Sequence, residues 1–300
     1  MDREAAGVLA LLPTPDEGWP RLRPGALREV RLRAGAPIQL AFDGGEWLSR
    51  GAVDEAYVAR AADALAAHSL YARDEELCQG YLPLADGSRA GVCGRFAVEN
   101  GRVRRVTAIR SLCVRVARAV PGCADGCMPY LYGENRPLGA LILSAPGLGK
   151  TTLLRDIARQ LSNGTAWGRG VNVALADERR ELAGSGKLDV GLRTDVIEGC
   201  PKAEAVMMLL RAMAPDVIAT DELGRAEDAE AVAEAARCGV SVIATAHAAS
   251  LDGAKKRAAL RRLLDEKIFD RIIVLGGGVG RIAGVYDAEG KRLSAGEGET

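Results

Sequence analysis

From Ala140 to Leu161 the sequence reads ALILSAPGLGKTTLLRDIARQL. Its first residues form a short continuous apolar run, which is typical of a buried parallel strand. From Lys150 onward, apolar residues recur at helical spacing, which predicts a helix over 150–161 with one buried face. A glycine-rich turn between such a strand and such a helix is the setting of a phosphate-binding loop. This stretch therefore predicts an α/β domain with a site for nucleotide phosphates.

The residues of this loop are those that phosphate binding requires. Gly147 and Gly149 let the backbone curl so that its N–H groups point at the β- and γ-phosphates, where the helix N-terminus adds partial positive charge. Lys150 is expected to reach the phosphate oxygens, and the Thr151 hydroxyl to ligate Mg²⁺. The first position, usually glycine, is Ser144, and a small residue is expected to be tolerated there. The residues predicted to bind the cofactors, ATP and Mg²⁺, are Ser144, Ala145, Pro146, Gly147, Leu148, Gly149, Lys150, Thr151 and Thr152.

After this stretch, short apolar runs alternate with segments of helical spacing. Such alternation predicts a RecA-like α/β domain, a mostly parallel sheet with helices on both faces. Ligands of such sheets bind at the carboxyl ends of the strands. The further predicted strands are 171–176, 217–220, 240–244 and 272–275. The further predicted helices are 202–213, 226–237 and 252–264.

The N-terminal part has a different pattern, with charged and apolar residues alternating as in half-buried strands. Its predicted strands are 29–33, 38–42, 89–98 and 103–116, with a turn at Gly44-Gly45 and a helix over 54–68. The chain is therefore predicted to consist of a small α+β domain over residues 1–120, a turn-rich linker over 121–137 and a phosphate-loop domain over 138–300.

The overall composition is that of an ordinary globular chain, and 300 residues accommodate about two domains. Forty basic residues balance forty acidic ones and aromatic residues make up only 4%, so the bulk composition does not favour nucleic acid as a partner. No apolar run approaches the roughly 18 residues of a membrane span, and no secretory signal is evident, so a cytoplasmic location is expected. Seven cysteines without a CxxC pair, beside two histidines, argue against a zinc site and for reduced thiols.

A second motif is the apolar strand over 217–220, which is followed directly by Asp221 and Glu222. An acidic pair after a strand often marks no more than the start of a helix. Phosphoryl transfer, however, needs one carboxylate on the metal, directly or through water, and another that polarises the attacking water. Downstream of a phosphate loop, we predict that Asp221 binds Mg²⁺ and that Glu222 is the base.

Other polar residues also follow predicted strands. His247 is expected either to sense the γ-phosphate or to make a structural hydrogen bond, and Glu178, in the charged loop 177–181, is a further catalytic candidate. Hydrolysis usually also needs an arginine beside the γ-phosphate. The sequence does not select one: Arg179, Arg180 and Arg193 are candidates, and Arg31, Arg33 and Arg115 are further candidates from the N-terminal domain of a neighbouring subunit. Because no motif carries an arginine plainly placed for the γ-phosphate, we predict that the arginine crosses from one subunit to the next, with Arg193 and the pair Arg31 and Arg33 as the first choices. The basic residues of the helix over 252–264 form either a solvated face or a docking surface.

The order of these motifs resembles the ATPase superfamily that powers type II and type IV secretion systems, whose motifs are Walker A, Asp box, Walker B and His box. The matching positions are 144–151, 177–178, 221–222 and 247. Within this superfamily, several segments resemble the family of stage III sporulation AA proteins. These segments are EVRLRAGAP (29–37), LDVGLRTDV (188–196), GCPKAE (199–204), PDVIA (215–219) and IATAH (243–247), and the likeness spans about residues 25–290.

This resemblance implies a ring-shaped homo-oligomer, a hexamer, that hydrolyses ATP in the mother-cell cytoplasm of an endospore former. It also implies docking on the membrane-embedded proteins of the channel between mother cell and forespore. The chain departs from the type II pattern in two respects. Its Asp box reads Asp-Glu-Arg-Arg-Glu rather than being rich in acids, and it lacks the cysteine-rich zinc module of many type II members.

Two other functions stay open. The first is a RecA-like ATPase acting on single-stranded nucleic acid, since plastid and cyanobacterial relatives carry an R3H nucleic-acid module; no Arg-x-x-x-His occurs here. The second is a slow nucleotide-dependent scaffold, against which the intact set of Lys150, Thr151, Asp221 and Glu222 argues.

Overall fold

The computed structural model describes residues 3–21, 27–42, 44–84, 89–116, 119–134, 136–184 and 186–293. Contacts between residues divide the chain into two units, residues 1–118 and residues 119–300. None of the helices in these described ranges is both long enough and apolar enough to cross a membrane.

The first unit is an antiparallel sheet with helices. Its described strands are β1 (Leu27–Arg33), β2 (Ala36–Phe42), β3 (Gly45–Val53), β4 (Tyr81–Pro83), β5 (Arg89–Glu99) and β6 (Arg102–Arg115), in the order β3-β2-β1-β6-β5-β4. Its described helices are α1 (Arg3–Leu11), α2 (Glu55–Leu65) and α3 (Asp74–Cys78), with a 3-10 turn over Leu70–Arg73. Asp54 caps α2 by accepting from the Tyr57 backbone N–H at 2.7 Å. The N-terminal α+β prediction is confirmed, apart from its residues 1–2, 22–26, 43, 85–88 and 117–118, which lie outside the described residues.

In the described part of the second unit, eight strands form a mixed sheet in the order β11-β10-β12-β13-β7-β14-β15-β16. The parallel strands are β7 (Ala140–Ser144), β10 (Val173–Asp177), β11 (Thr194–Glu198), β12 (Val217–Thr220), β13 (Ser241–His247) and β14 (Arg271–Leu275), with β11 at the edge of the sheet. The antiparallel edge consists of β15 (Ile282–Asp287) and β16 (Arg292–Leu293). A separate two-stranded ribbon pairs β8 (Gly164–Thr165) with β9 (Gly168–Arg169).

Helices cover both faces of this sheet, which explains why β7, β10 and β12 are buried along their whole length. They are α4 (Lys150–Asn163), α5 (Lys202–Ala212), α6 (Ala226–Arg237), α7 (Leu251–Lys255) and α8 (Ala258–Asp265). Alternate residues of β7 enter different clusters: Ile142 packs with α4, whereas Leu143 packs with the side chains of α5, α6 and α8. The predicted α/β fold is therefore confirmed.

Two details of the second unit differ from the prediction. The helix expected over 252–264 is interrupted, because Arg257 takes an extended conformation between α7 and α8. At about 100° per residue, an unbroken helix would turn Leu260 and Leu263 away from the face that buries Ala254, and the break returns all three to the same core. The expected linker is also packed: its residues Ala124, Cys127, Met128 and Leu131 are buried among the side chains of α4 and the sheet. Residues 119–137 thus belong to the second unit, with Asn135 outside the described residues.

Candidate functional site

The loop between β7 and α4 has the geometry that its glycines require. Gly147 and Gly149 have φ values of +78° and +89°, in the left-handed region that side-chain-bearing residues rarely adopt. A Cβ atom at Gly147 would meet nothing within 4 Å, so the loop is open on that side. Gly149 is also the N-cap residue of α4, which places the partial positive charge of that helix at the loop. Residues 145–149 therefore provide a backbone cradle for an anion.

Ser144, which replaces the usual glycine, is fully buried. Its hydroxyl donates to the Ala145 carbonyl oxygen at 2.7 Å and accepts from Lys150 Nζ at 3.3 Å. A serine at this position thus points inward and leaves the open side of the loop free.

Lys150 is buried, with 6% of its surface exposed, and its ammonium group lies among oxygen and nitrogen acceptors. Nζ donates to His247 Nδ1 at 3.0 Å and lies 3.5 Å from the Ala145 carbonyl oxygen. Burial lowers the pKa of Lys150, and the charges of Asp221 and Glu222 oppose that shift. Because an ammonium group can only donate, Nδ1 of His247 is the acceptor and its Nε2 carries the hydrogen.

Thr151 and Asp221 meet directly. Thr151 Oγ1 donates to Asp221 Oδ2 at 2.6 Å, and Thr245 Oγ1 donates to Asp221 Oδ1. Thr151 lies in α4, Asp221 directly follows β12, and Thr245 lies in β13. Strands β12 and β13 pair in parallel, so their carboxyl ends lie side by side in the sheet. A hydroxyl and a carboxylate are hard oxygen ligands, and Mg²⁺ in nucleotide sites takes one or two such protein ligands beside phosphates and water. The residues present therefore fit the predicted Mg²⁺ site.

Glu222 follows Asp221 in an unusual backbone conformation. Its φ is +53°, left-handed for a residue with a side chain. Glu222 Oε2 forms an ion pair with Arg179 Nη1, and Glu222 Oε1 lies 3.6 Å from His247 Nε2. His247 therefore lies between Lys150 and Glu222, so that the phosphate-loop lysine and the candidate base share a neighbour.

The charged loop 177–181 is anchored by Asp177, which is 2% exposed. Its carboxylate accepts backbone N–H bonds from Glu181, Leu182 and Ala183 at 2.9, 3.0 and 2.9 Å. Burial raises the pKa of Asp177 to about 6, although these hydrogen bonds lower it. Buried Arg155 of α4 donates to the carbonyl oxygens of Glu181 and Leu182 at 2.5 and 2.7 Å. The loop that carries Glu178 and Arg179 is thus fixed to the phosphate-loop helix.

The structure brings together most of the predicted residues and excludes one. Lys150, Thr151, Asp221, Glu222 and His247 form one connected set of contacts. Thr152 lies in the first turn of α4, where its carbonyl oxygen accepts from Cys123 Sγ at 3.7 Å. Glu178 borders the small cleft that Asp221 and Glu222 line, but its Oε2 lies 3.9 Å from Lys202 Nζ.

Arg193 is not part of this pocket in its own chain, and its role in the site of a neighbouring subunit stays a prediction. Arg193 precedes β11 and donates to the carbonyl oxygen of Ser162 at 2.9 Å, near the C-terminus of α4. The phosphate loop lies at the opposite end of that helix. A residue that precedes a parallel strand lies at the amino edge of the sheet, whereas the site lies at the carboxyl edge. The arginine beside the candidate base is Arg179.

Two residues of the site escaped the sequence analysis. Thr245 connects Asp221 to the Glu222 backbone N–H, which donates to Thr245 Oγ1 at 2.8 Å. Lys202 is a buried lysine whose Nζ donates to the Glu222 carbonyl oxygen at 2.6 Å. The position of Lys202 could have singled it out, because a positive charge at the first residue of a helix interacts unfavourably with the helix dipole.

The comparisons with known proteins agree with this architecture. The family described as "Sporulation stage III, protein AA" matches residues 19–293. The chain is 40% identical to "Stage III sporulation protein AA" of Bacillus subtilis (strain 168) over 293 residues, 95% of this chain and 93% of that protein.

Solved structures with the same fold include two ATPases of bacterial machines. The Legionella pneumophila ATPase DotB is similar over 98% of this chain and 78% of its own, with a TM-score of 0.58 and 18% identity. The pilus retraction motor PilT with bound ADP is similar over 91% of this chain and 81% of its own, with a TM-score of 0.54 and 18% identity. At such identities the likeness concerns the fold.

Proposed function

The chain belongs to the "Sporulation stage III, protein AA" family, and from that premise we propose that it is an ATPase that binds Mg-ATP at residues 144–152 and hydrolyses it. The observation that carries this proposal is the connected set of Lys150, Thr151, Asp221, Glu222 and His247 at the carboxyl edge of a parallel sheet. Its fold, shared with the ATPases DotB and PilT, supports the same class of activity.

Each residue of the site has a role that follows from its chemistry. Backbone N–H groups of the loop and Lys150 bind and neutralise the β- and γ-phosphates. Thr151 and Asp221 would hold Mg²⁺, which when bound neutralises charge on the phosphate oxygens. Glu222 orients the attacking water and accepts its proton, and the Arg179 guanidinium beside it can neutralise charge on the γ-phosphate. His247 contacts both Lys150 Nζ and the Glu222 carboxylate, a position from which it can sense the γ-phosphate.

Phosphate release from ATP by the purified chain tests the activity directly. We expect release in the presence of Mg²⁺ and its loss when the divalent cation is chelated, because without the cation the negative charge of Asp221 faces the negatively charged phosphates uncompensated. Restoring Mg²⁺ should restore the rate. Nucleotide binding without any release, with or without added single-stranded nucleic acid, would favour the scaffold. Release that requires single-stranded nucleic acid would favour the nucleic-acid-dependent ATPase.

We further propose that the chain works as a homo-oligomeric ring, a hexamer in keeping with the resemblance, that acts on the membrane channel between mother cell and forespore from the mother-cell cytoplasm. Membership of the sporulation family supports a role in spore formation, and the fold shared with a pilus motor supports action as a motor. Arginines of the N-terminal unit remain candidates for a neighbouring subunit's site. In their own unit, Arg31 pairs with Glu29 at 2.8 Å and Arg33 donates to Gln39 at 2.9 Å.

If a neighbouring subunit completes the site, the specific activity should rise with protein concentration as subunits associate. A trans arginine adds roughly 10³–10⁵ in rate, so the dilute protein should be nearly inactive. Phosphate release measured beside light scattering, over the same dilution series, checks this. Mixing Lys150→Ala with an inactive arginine variant, either Arg193→Gln or Arg31→Gln/Arg33→Gln, should restore part of the activity. A monomer of constant specific activity at all concentrations would contradict the ring.

A further inference from the structure

Lys202 is a buried cation at a position where a positive charge is energetically unfavourable. It is the first residue of α5, where its positive charge opposes the helix dipole, and only 6% of its surface is exposed. A lysine is rarely buried without partners for its charge. Its surroundings should therefore show what the charge does.

The partners of Lys202 come from three separate segments around the site. Nζ donates to the Glu222 carbonyl oxygen at 2.6 Å, the shortest of its contacts. It also lies 3.9 Å from Glu178 Oε2 and 4.0 Å from Asp228 Oδ2. Lys202 thus joins the loop after β10, the loop after β12 and the first turn of α6.

The contact with the Glu222 carbonyl oxygen matters because of the conformation of that residue. Glu222 has a φ of +53°, a region in which a side-chain-bearing residue is held only when its surroundings fix it. Its backbone N–H is held by Thr245 Oγ1 at 2.8 Å, and its carbonyl oxygen is held by Lys202. The next N–H, that of Leu223, donates to the Thr245 carbonyl oxygen at 2.7 Å. Both peptide groups that flank Glu222 are therefore clamped, one of them by a charge.

We propose that Lys202 is a positioning residue for Glu222: its ammonium group holds the left-handed backbone that directs the Glu222 carboxylate toward Arg179 and His247. This inference rests on the proposed ATPase function. Lys202 does not touch the phosphates; it acts through Glu222. Removing its charge should let Glu222 relax to an ordinary backbone conformation, which rotates the carboxylate away from the water that it is to polarise.

The test compares Lys202→Met, which keeps the length of the side chain without its charge, with Lys202→Arg, which keeps the charge. Lys202→Met should lower kcat by at least about tenfold, because a shift of about 1 Å in a catalytic group costs up to 10²-fold. Its ATP affinity, measured by calorimetry, should stay within about threefold of the wild type, because the phosphate contacts are untouched. Lys202→Arg should recover most of the rate. Lys255→Met, an exposed lysine of α7, is the matched control and should leave both quantities unchanged.

A double-mutant cycle with Glu222→Gln separates positioning from a general structural effect. If Lys202 acts through Glu222, adding Lys202→Met to Glu222→Gln should change kcat by less than about twofold, since residues that act as one unit are non-additive. A further tenfold loss in that background would overturn the inference. If Lys202→Met does not fold, Lys202→Gln takes its place with the same expectations, and a normal kcat in either variant would also overturn it. Wild-type protein that binds no ATP would instead refute the proposed function.

Discussion

Lys150→Ala is expected to abolish ATP binding. Nζ of Lys150 lies directly against the phosphate loop, at 3.5 Å from the Ala145 carbonyl oxygen. The rest of the cradle consists of neutral amides and a partial helix charge. Two charge-assisted contacts with phosphate, at about 1.5–3 kcal/mol each, correspond to roughly 10²–10⁴-fold in affinity.

Nucleotide titration by calorimetry measures this loss. Lys255→Ala serves as the control, because Lys255 is an exposed lysine of the same unit and lies outside the site. The thermal unfolding of both variants should be compared with that of the wild type, so that a folding defect is not mistaken for lost affinity. Unchanged ATP affinity in Lys150→Ala would mean that the nucleotide binds elsewhere and that this loop is not its site.

The phosphate loop could be predicted because its determinants are contiguous. A strand, two glycines, a lysine and a helix follow one another, and local chemistry leaves little freedom in how they fold. For the residues that surround the loop, the sequence predicts only that they lie at the carboxyl ends of neighbouring strands. Asp221 and His247 each end or follow a parallel strand, so the sheet brings them to the same edge. The contact between Lys150 and His247 depends on the tertiary structure and cannot be predicted from the spacing of the motifs in the sequence.

The expectation that Arg193 lies at the site of its own chain fails for a specific reason. The sequence does not predict β11, because it is a short edge strand whose residues Thr194, Asp195 and Glu198 are polar. With β11 in place, Arg193 would have been assigned to the amino edge of the sheet, away from the site. Without β11, the sequence offers no reason to prefer Arg179 to Arg193 as the arginine of the chain's own site.

The ribbon of β5 and β6 shows a limit of a different kind. Apolar residues of β6 recur every third position, at Val103, Val106, Ile109 and Leu112, whereas a regular strand needs every second. Three register shifts reconcile the two, so that these residues lie opposite Val98, Phe96, Gly94 and Val92. At Gly94 a Cβ atom would lie 1.9 Å from the Ala108 carbonyl oxygen, so only glycine fits this bulge. Bulges of this kind are invisible to a reading that assumes a constant period.

Glu222→Gln is expected to bind ATP normally and to hydrolyse it at least about 100-fold more slowly, within the 10²–10⁴-fold that a positioned base contributes. Glutamine has nearly the same shape, so the left-handed backbone and its bonds to Thr245 and Lys202 can persist. The amide cannot accept the proton of the attacking water, and it cannot balance the charge of Arg179. Affinity for the nucleotide depends on Lys150 and the loop, which this substitution leaves alone.

Single-turnover phosphate release, measured beside a binding titration, separates these two effects. Glu227→Gln is a suitable control, because Glu227 is an exposed carboxylate in the first turn of α6 and lies near Glu222 in the sequence. If Glu222→Gln turns over at nearly the wild-type rate, the base must be another carboxylate of the same cleft. Glu178 would be the next to test, because it borders that cleft and contacts the buried lysine that also holds Glu222. A slow Glu178→Gln beside a normal Glu222→Gln would move the base to the loop after β10 and would leave Glu222 as the partner of Arg179.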